Sequence, residues 1–169
     1  MPAIVAAQFD CAELHSLSEV QQFLVLPLLD RTSPDKRQPP DEMGSQLAEA
    51  CVRLFGGLGV ALDYSPESLA LVDDFLGKAR QGSEDDLTNA LRAAGAYVGE
   101  VLVRHLGGAW RNVEGSPIEA VASGPIVVEL PGHAFCNPLG KAWKRFDQGP
   151  GESVAFFFAA LKQRQGKRA

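Results

Sequence analysis

The side chains with most chemistry to offer sit around one predicted helix. Tyr97, Glu100 and Arg104 follow one another at spacings of three and four residues, which brings them onto neighbouring turns. Their surroundings are small or apolar: Ala93, Ala96, Gly99 and Val103. A carboxylate in such a place needs a partner, because an unpaired buried charge costs several kcal/mol, and Arg104 one turn on can provide it. The group reads as a polar site, joined by Asp63 or Tyr64 from the preceding connection, or as an internal ion pair that fixes the helix. The second reading ranks first, since ion pairs one turn apart occur whatever the function. His105 falls on the apolar stripe of the same helix and reads as a satisfied core histidine rather than a general base.

Cys136 offers a different chemistry. It stands immediately before a predicted helix amino terminus, a position that stabilises a thiolate, with His133 three residues away. Such a pair could serve as nucleophile and base, but no third, orienting group accompanies it. Cys11 and His15 would complete two cysteines and two histidines for zinc, although neither pair has the usual finger loop. We therefore assign no catalytic residue, no metal and no cofactor. GxGxxG after a strand, GxxxxGK[ST], GxSxG and HExxH are all missing, so nucleotide-binding, hydrolase and metalloprotease readings lack local support. Lys141, Lys144 and Arg145, with Trp143 nearby, form a basic face that could touch RNA. On a chain of net charge −5 a solvated face is the stronger reading.

The elements that must position these residues follow from pattern and punctuation. Residues 1–30 carry an apolar stretch around Val20, Phe23, Leu24, Leu26 and Leu28, read as a short helix with an extended end. Residues 31–44, with Pro34, Pro39 and Pro40 among polar residues, read as an exposed loop, and residues 45–169 as the main body of a single domain. Leu47, Cys51 and Leu54 predict a helix from Ser45 to Phe55, ended by Gly56 and Gly57. Ser65 followed by Pro66 predicts the start of a second helix, running to Ala79. Ser83 and Asp86 resemble a capping box opening a third, which runs to Leu106 and stops at Gly107 and Gly108. The stripe Leu87, Leu91, Ala94, Val98, Val101 and Leu102 faces the core. The small residues opposite predict that the second half of this helix is covered on both sides. Ile118–Val121 and Ile126–Leu130 read as antiparallel strands. Asn137-Pro138 opens a short helix, and Ser153–Gln165 a last one with Val154, Phe157, Phe158 and Leu161 inside. The fold class is α+β: N-terminal and central helices packed on a small antiparallel sheet, with C-terminal helices.

Two stretches, LDYSPESL from Leu62 to Leu69 and GAYVGEVLVRHLGGAW from Gly95 to Trp110, followed by NPLGKAWKRFDQG, resemble a group of small bacterial domains of unknown function. The resemblance covers about the last two thirds of the chain and leaves the first 44 residues unmatched. It implies a bacterial cytoplasmic protein with an α+β fold, and carries over no reaction, ligand or catalytic residue.

Composition narrows the function further. The 169 residues are 46% hydrophobic and 22% charged, which suits a globular domain, and the acidic balance disfavours nucleic acid or anionic membrane as partner. The amino terminus shows no secretory signal pattern, no apolar run approaches the roughly 20 residues of a membrane span, and three cysteines match no disulfide framework. These features read as a cytoplasmic protein. The leading expectation is a non-enzymatic protein-binding or regulatory domain, immunity proteins being one example, with self-association as an alternative. On that reading Tyr64, Tyr97 and Trp110 stand on an exposed patch. The rival is a hydrolase or small-molecule binder using Glu100 and Arg104, or Cys136 and His133.

Overall fold

A computed structural model describes residues 38–79 and 84–167. The N-terminal segment, Cys11, His15 and the Ser83 cap lie outside the described residues. Helix α1, Pro40–Gly57, begins earlier than its apolar spacing implies, so residues 40–44 are helical rather than loop. The reason lies in the residues that looked like loop punctuation. Pro40 sits at the first helical position, where its missing N–H and fixed φ suit the helix, and Asp41 and Glu42 complement the positive end of the dipole.

Helix α2, Leu69–Lys78, starts later than Pro66. The Ser65 hydroxyl does accept from the Ser68 amide at 3.2 Å, but the intervening residues close i→i+3 bonds, such as Leu69 N–H to the Pro66 carbonyl at 3.2 Å. Helix α3, Glu84–Leu106, ends where Gly107 adopts φ 67°, the left-handed stop expected of glycine. Every residue from Ala93 to Leu102 is buried, so both faces are covered as the small residues imply. α1 and the helix that follows the sheet, Pro138–Gln148, are its main neighbours. His105, by contrast, is exposed, correcting its assignment to the core. The stripe leaves the interior in the last turn, and the imidazole Nε2 instead meets the Tyr64 carbonyl at 2.8 Å.

Strands β1, Ala109–Asn112, β2, Ile126–Leu130, and β3, Ala134–Cys136, form an antiparallel sheet in the order β1-β2-β3. Trp110 pairs with Val128, and Val128 with Cys136. Ile118–Val121 is not a strand: Glu119–Val121 forms a 3-10 turn closed by Val121 N–H to the Ile118 carbonyl at 3.0 Å. Glu119 and Ala120, poor strand formers, lie between the two β-branched residues, and Pro117 precedes them. Helix α4, Pro138–Gln148, is capped by Asn137 accepting from Gly140 N–H at 2.9 Å. A 3-10 turn, Pro150–Glu152, leads to α5, Val154–Gly166, where Ser153 Oγ accepts from Phe156 N–H at 3.0 Å. In α5, Val154 and Phe158 are buried while Phe157 and Leu161 are only half-buried.

Candidate functional site

The cluster around α3 comes together as one connected network. The Tyr97 ring is fully buried, and its hydroxyl accepts the Tyr64 amide at 2.8 Å and lies 2.6 Å from Ser68 Oγ. Tyr64 stacks on Tyr97 with ring centroids 4.9 Å apart, and the Arg104 guanidinium covers the other side of Tyr64 at 3.7 Å from its centroid. Arg104 Nε then donates to Glu100 Oε1 at 3.0 Å, and Trp110 Nε1 donates to Glu100 Oε2 at 3.2 Å. Both carboxylate oxygens of buried Glu100 are thus held from within the chain. Asp63 stands at the exposed edge, accepting the Ser65 amide at 2.9 Å, and the Ser65 hydroxyl first, then this amide, hold its carboxyl below the usual carboxylate range. Burial pushes the Tyr64 phenol up to about 12 and raises that of Tyr97 as well.

Tyr64 has φ 60°, a left-handed conformation that a bulky residue adopts only when its surroundings impose it. Here they do. Its N–H goes to Tyr97, its carbonyl to His105, and its ring is held between Tyr97 and Arg104. The expected exposed aromatic patch is corrected accordingly: Tyr97 and Trp110 belong to the core, and only Tyr64 keeps partial exposure. Trp110 is enclosed because the helices beside it carry glycine. A Cβ on Gly44 would lie 2.3 Å from its ring, and a Cβ on Gly99 2.2 Å. Beside this tryptophan a cleft of about 480 Å³ is lined by Asp41, Ser45, Glu100, Arg111 and Asn112 among others.

Cys136 and His133 do not form a nucleophile with its base. His133 lies in the β2–β3 turn with its side chain 90% exposed and Nδ1 against Glu129 Oε1 at 2.8 Å. Cys136 is buried, and burial pushes its thiol up to about 11, the reverse of the lowering expected from its place before a helix. Desolvation by the packed strand outweighs the helix end. At pH 8 a thiol at about 11 holds about a hundredfold less thiolate than one at the ordinary value of 9.0. We therefore expect a disulfide reagent to label native Cys136 at least tenfold more slowly than the same thiol in urea, with the rate climbing above pH 9. Equal rates in the two states would contradict this burial. Among the described residues no group of three or more His, Cys, Asp or Glu could hold a metal ion.

The basic face of α4 is less solvated than its charges suggest. Lys141 pairs with Glu152, and Arg145 Nε donates to Asp73 Oδ1 at 3.1 Å, leaving Lys144 exposed. Asp73 is a residue that sequence reasoning misses. It also accepts Ser153 Oγ at 2.5 Å, Val154 N–H at 2.8 Å and Ala155 N–H at 3.1 Å, and so anchors α2 to the start of α5. Its partners lie 72 to 82 residues away, so no local signal announces it. A second hollow, about 420 Å³, lies between the 3-10 turn at Val121, the β3–α4 junction and α5, and Lys144 and Arg164 line it. It too has no motif.

These features define an α+β domain whose described residues form a three-stranded antiparallel sheet and five helices around an aromatic and ionic network on α3. The chain belongs to a family of unknown function, DUF6278, which matches residues 31–134. The matched range takes in Leu62–Leu69 and Gly95–Trp110, starts ahead of the Ser45 boundary and stops before Asn137. No curated protein and no solved structure matches the chain. No helix among the described residues is long and apolar enough to cross a membrane.

Proposed function

We propose that this domain is a non-enzymatic protein-binding or regulatory module of the bacterial cytoplasm. The observation that carries the reading is the hollow beside Val121, where apolar side chains and three cations set against one carboxylate stand together. Exposed apolar surface beside an excess of one charge is what a protein partner of the opposite sign can be held and oriented by. The network around α3 points the same way from the other side. Tyr97 and both oxygens of Glu100 are engaged within the chain, so these groups position helices rather than reacting atoms. The buried thiols of Cys51 and Cys136 fit a reducing compartment.

The test is capture by the tagged full chain from a lysate of its host, with solution mass measured alongside. A stoichiometric protein other than the chain itself is expected. Recovery of the chain alone would refute the reading, and a mass of two or more copies would then move it to self-association. A variant at Tyr97 is unsuitable as the negative control, because that ring is core and its removal would report folding.

A further inference from the structure

Resting on the protein-binding reading, we propose that the groove between the Glu119–Val121 turn and α5 receives an acidic segment of the partner, one that carries an apolar side chain beside its carboxylates. Ile118 and Val121 form one wall and Phe157 and Leu161 the other, around a volume of about 420 Å³. Val121 is 75% exposed, so the apolar surface continues past the rim instead of closing over a small ligand.

The charges set the partner's sign. Lys141, Lys144 and Arg164 line the groove against one carboxylate, Glu152. Glu152 is already held by Lys141, whose Nζ also lies 5.5 Å from the Phe157 ring centroid. Among the described residues neither Lys144 nor Arg164 forms an ion pair; Lys144 only adds its field to that of Lys141 at Glu152, and both side chains are exposed. On a chain of net charge −5, a groove with an excess of positive charge attracts an acidic chain while the remaining surface repels it. Apolar contact at Val121 and Leu161 supplies the hold; Lys144 and Arg164 select the sign and orient the segment.

The probe is an unbiased random-peptide display library selected on the immobilised full chain, with Lys144→Glu/Arg164→Glu and Val121→Ser variants in parallel. Both cations and Val121 are exposed, so these variants are expected to fold as the wild type does, and circular dichroism and thermal melting check that they do. Selected peptides should be rich in Asp or Glu next to Leu, Ile or Phe. They should bind the double charge variant at least tenfold more weakly and lose affinity as salt rises. No enrichment, enrichment of basic or uncharged sequences, or selected peptides that bind the charge variant unchanged would each overturn the proposal. The two readings fail separately. A host protein captured equally by wild type and the charge variant keeps the protein-binding function and removes this groove, whereas no captured protein removes the function itself.

Discussion

Gly99→Ala is expected to lower the unfolding free energy by about 2 to 3 kcal/mol, a large fraction of the stability of a domain this size. The added Cβ would lie 2.2 Å from Cη2 and 2.4 Å from Cζ2 of Trp110, and 3.0 Å from the Pro138 ring. Helix propensity alone would favour alanine by about 1 kcal/mol, so the sign of the result separates packing from propensity. The indole is held at two further points. Its other side meets Gly44, where a Cβ would come within 2.3 Å, and its Nε1 is bonded to Glu100. Urea denaturation measures the loss, and an unfolding midpoint at or above that of wild type would contradict the wedge. A second arm isolates the cause. Trp110→Phe removes the part of the ring nearest Gly99, so Gly99→Ala should cost less in that background, with a coupling of at least about 1 kcal/mol in the double-mutant cycle.

The same wedge shows where sequence reasoning succeeds and where it ends. Ala93, Ala96 and Gly99 opposite a Leu and Val stripe predict a helix covered on both faces. α3 is so covered, and a Cβ on Gly95 would come 2.6 Å from the Leu139 backbone. Helical period is a local property, so it can be read from the chain. What fills the space is not local: Trp110 reaches Gly99 only because β1 turns back across α3 and α1. Gly44 illustrates the cost of reading composition alone. Among prolines and acids it resembles a loop residue, yet it is the small residue that admits the indole. Tyr97, Glu100, Arg104, Tyr64 and Trp110 are brought together as their types suggest, but in a closed network, and closure depends on backbone paths that no spacing rule contains. β1 and β3, four and three residues long, lack β-branched residues and so escape pattern reading. The Lys144 and Arg164 groove draws on five separate elements and has no signature at all.

Asp73→Ala is expected to cost about 3 kcal/mol, because it breaks a largely buried ion pair and uncaps a helix in one step. The side chains of Arg145 and Asp73 are 11% and 15% exposed, so solvent screens little of the pair. The Val154 and Ala155 amides and the Ser153 hydroxyl lose their acceptor as well. Asp73→Asn keeps the shape but presents an amide N–H₂ toward donors, and should recover less than half of the loss. Ser153→Ala should cost only about 1 kcal/mol, since Asp73 still holds both amides and Arg145. Denaturant midpoints give the totals, and hydrogen exchange locates the damage: amides at the start of α5 should lose protection before those of α3. Uniform loss across both helices, or a midpoint within about 0.5 kcal/mol of wild type, would contradict the anchoring role. The effect also reaches the groove. Phe157, Leu161 and Arg164 are presented by α5, whose first turn Asp73 fixes, so Asp73→Ala should weaken peptide binding without lining the groove itself. Its loss should shrink as temperature falls and the folded population recovers. The loss caused by Lys144→Glu/Arg164→Glu should persist in a fully folded chain, and that difference separates recognition from scaffold.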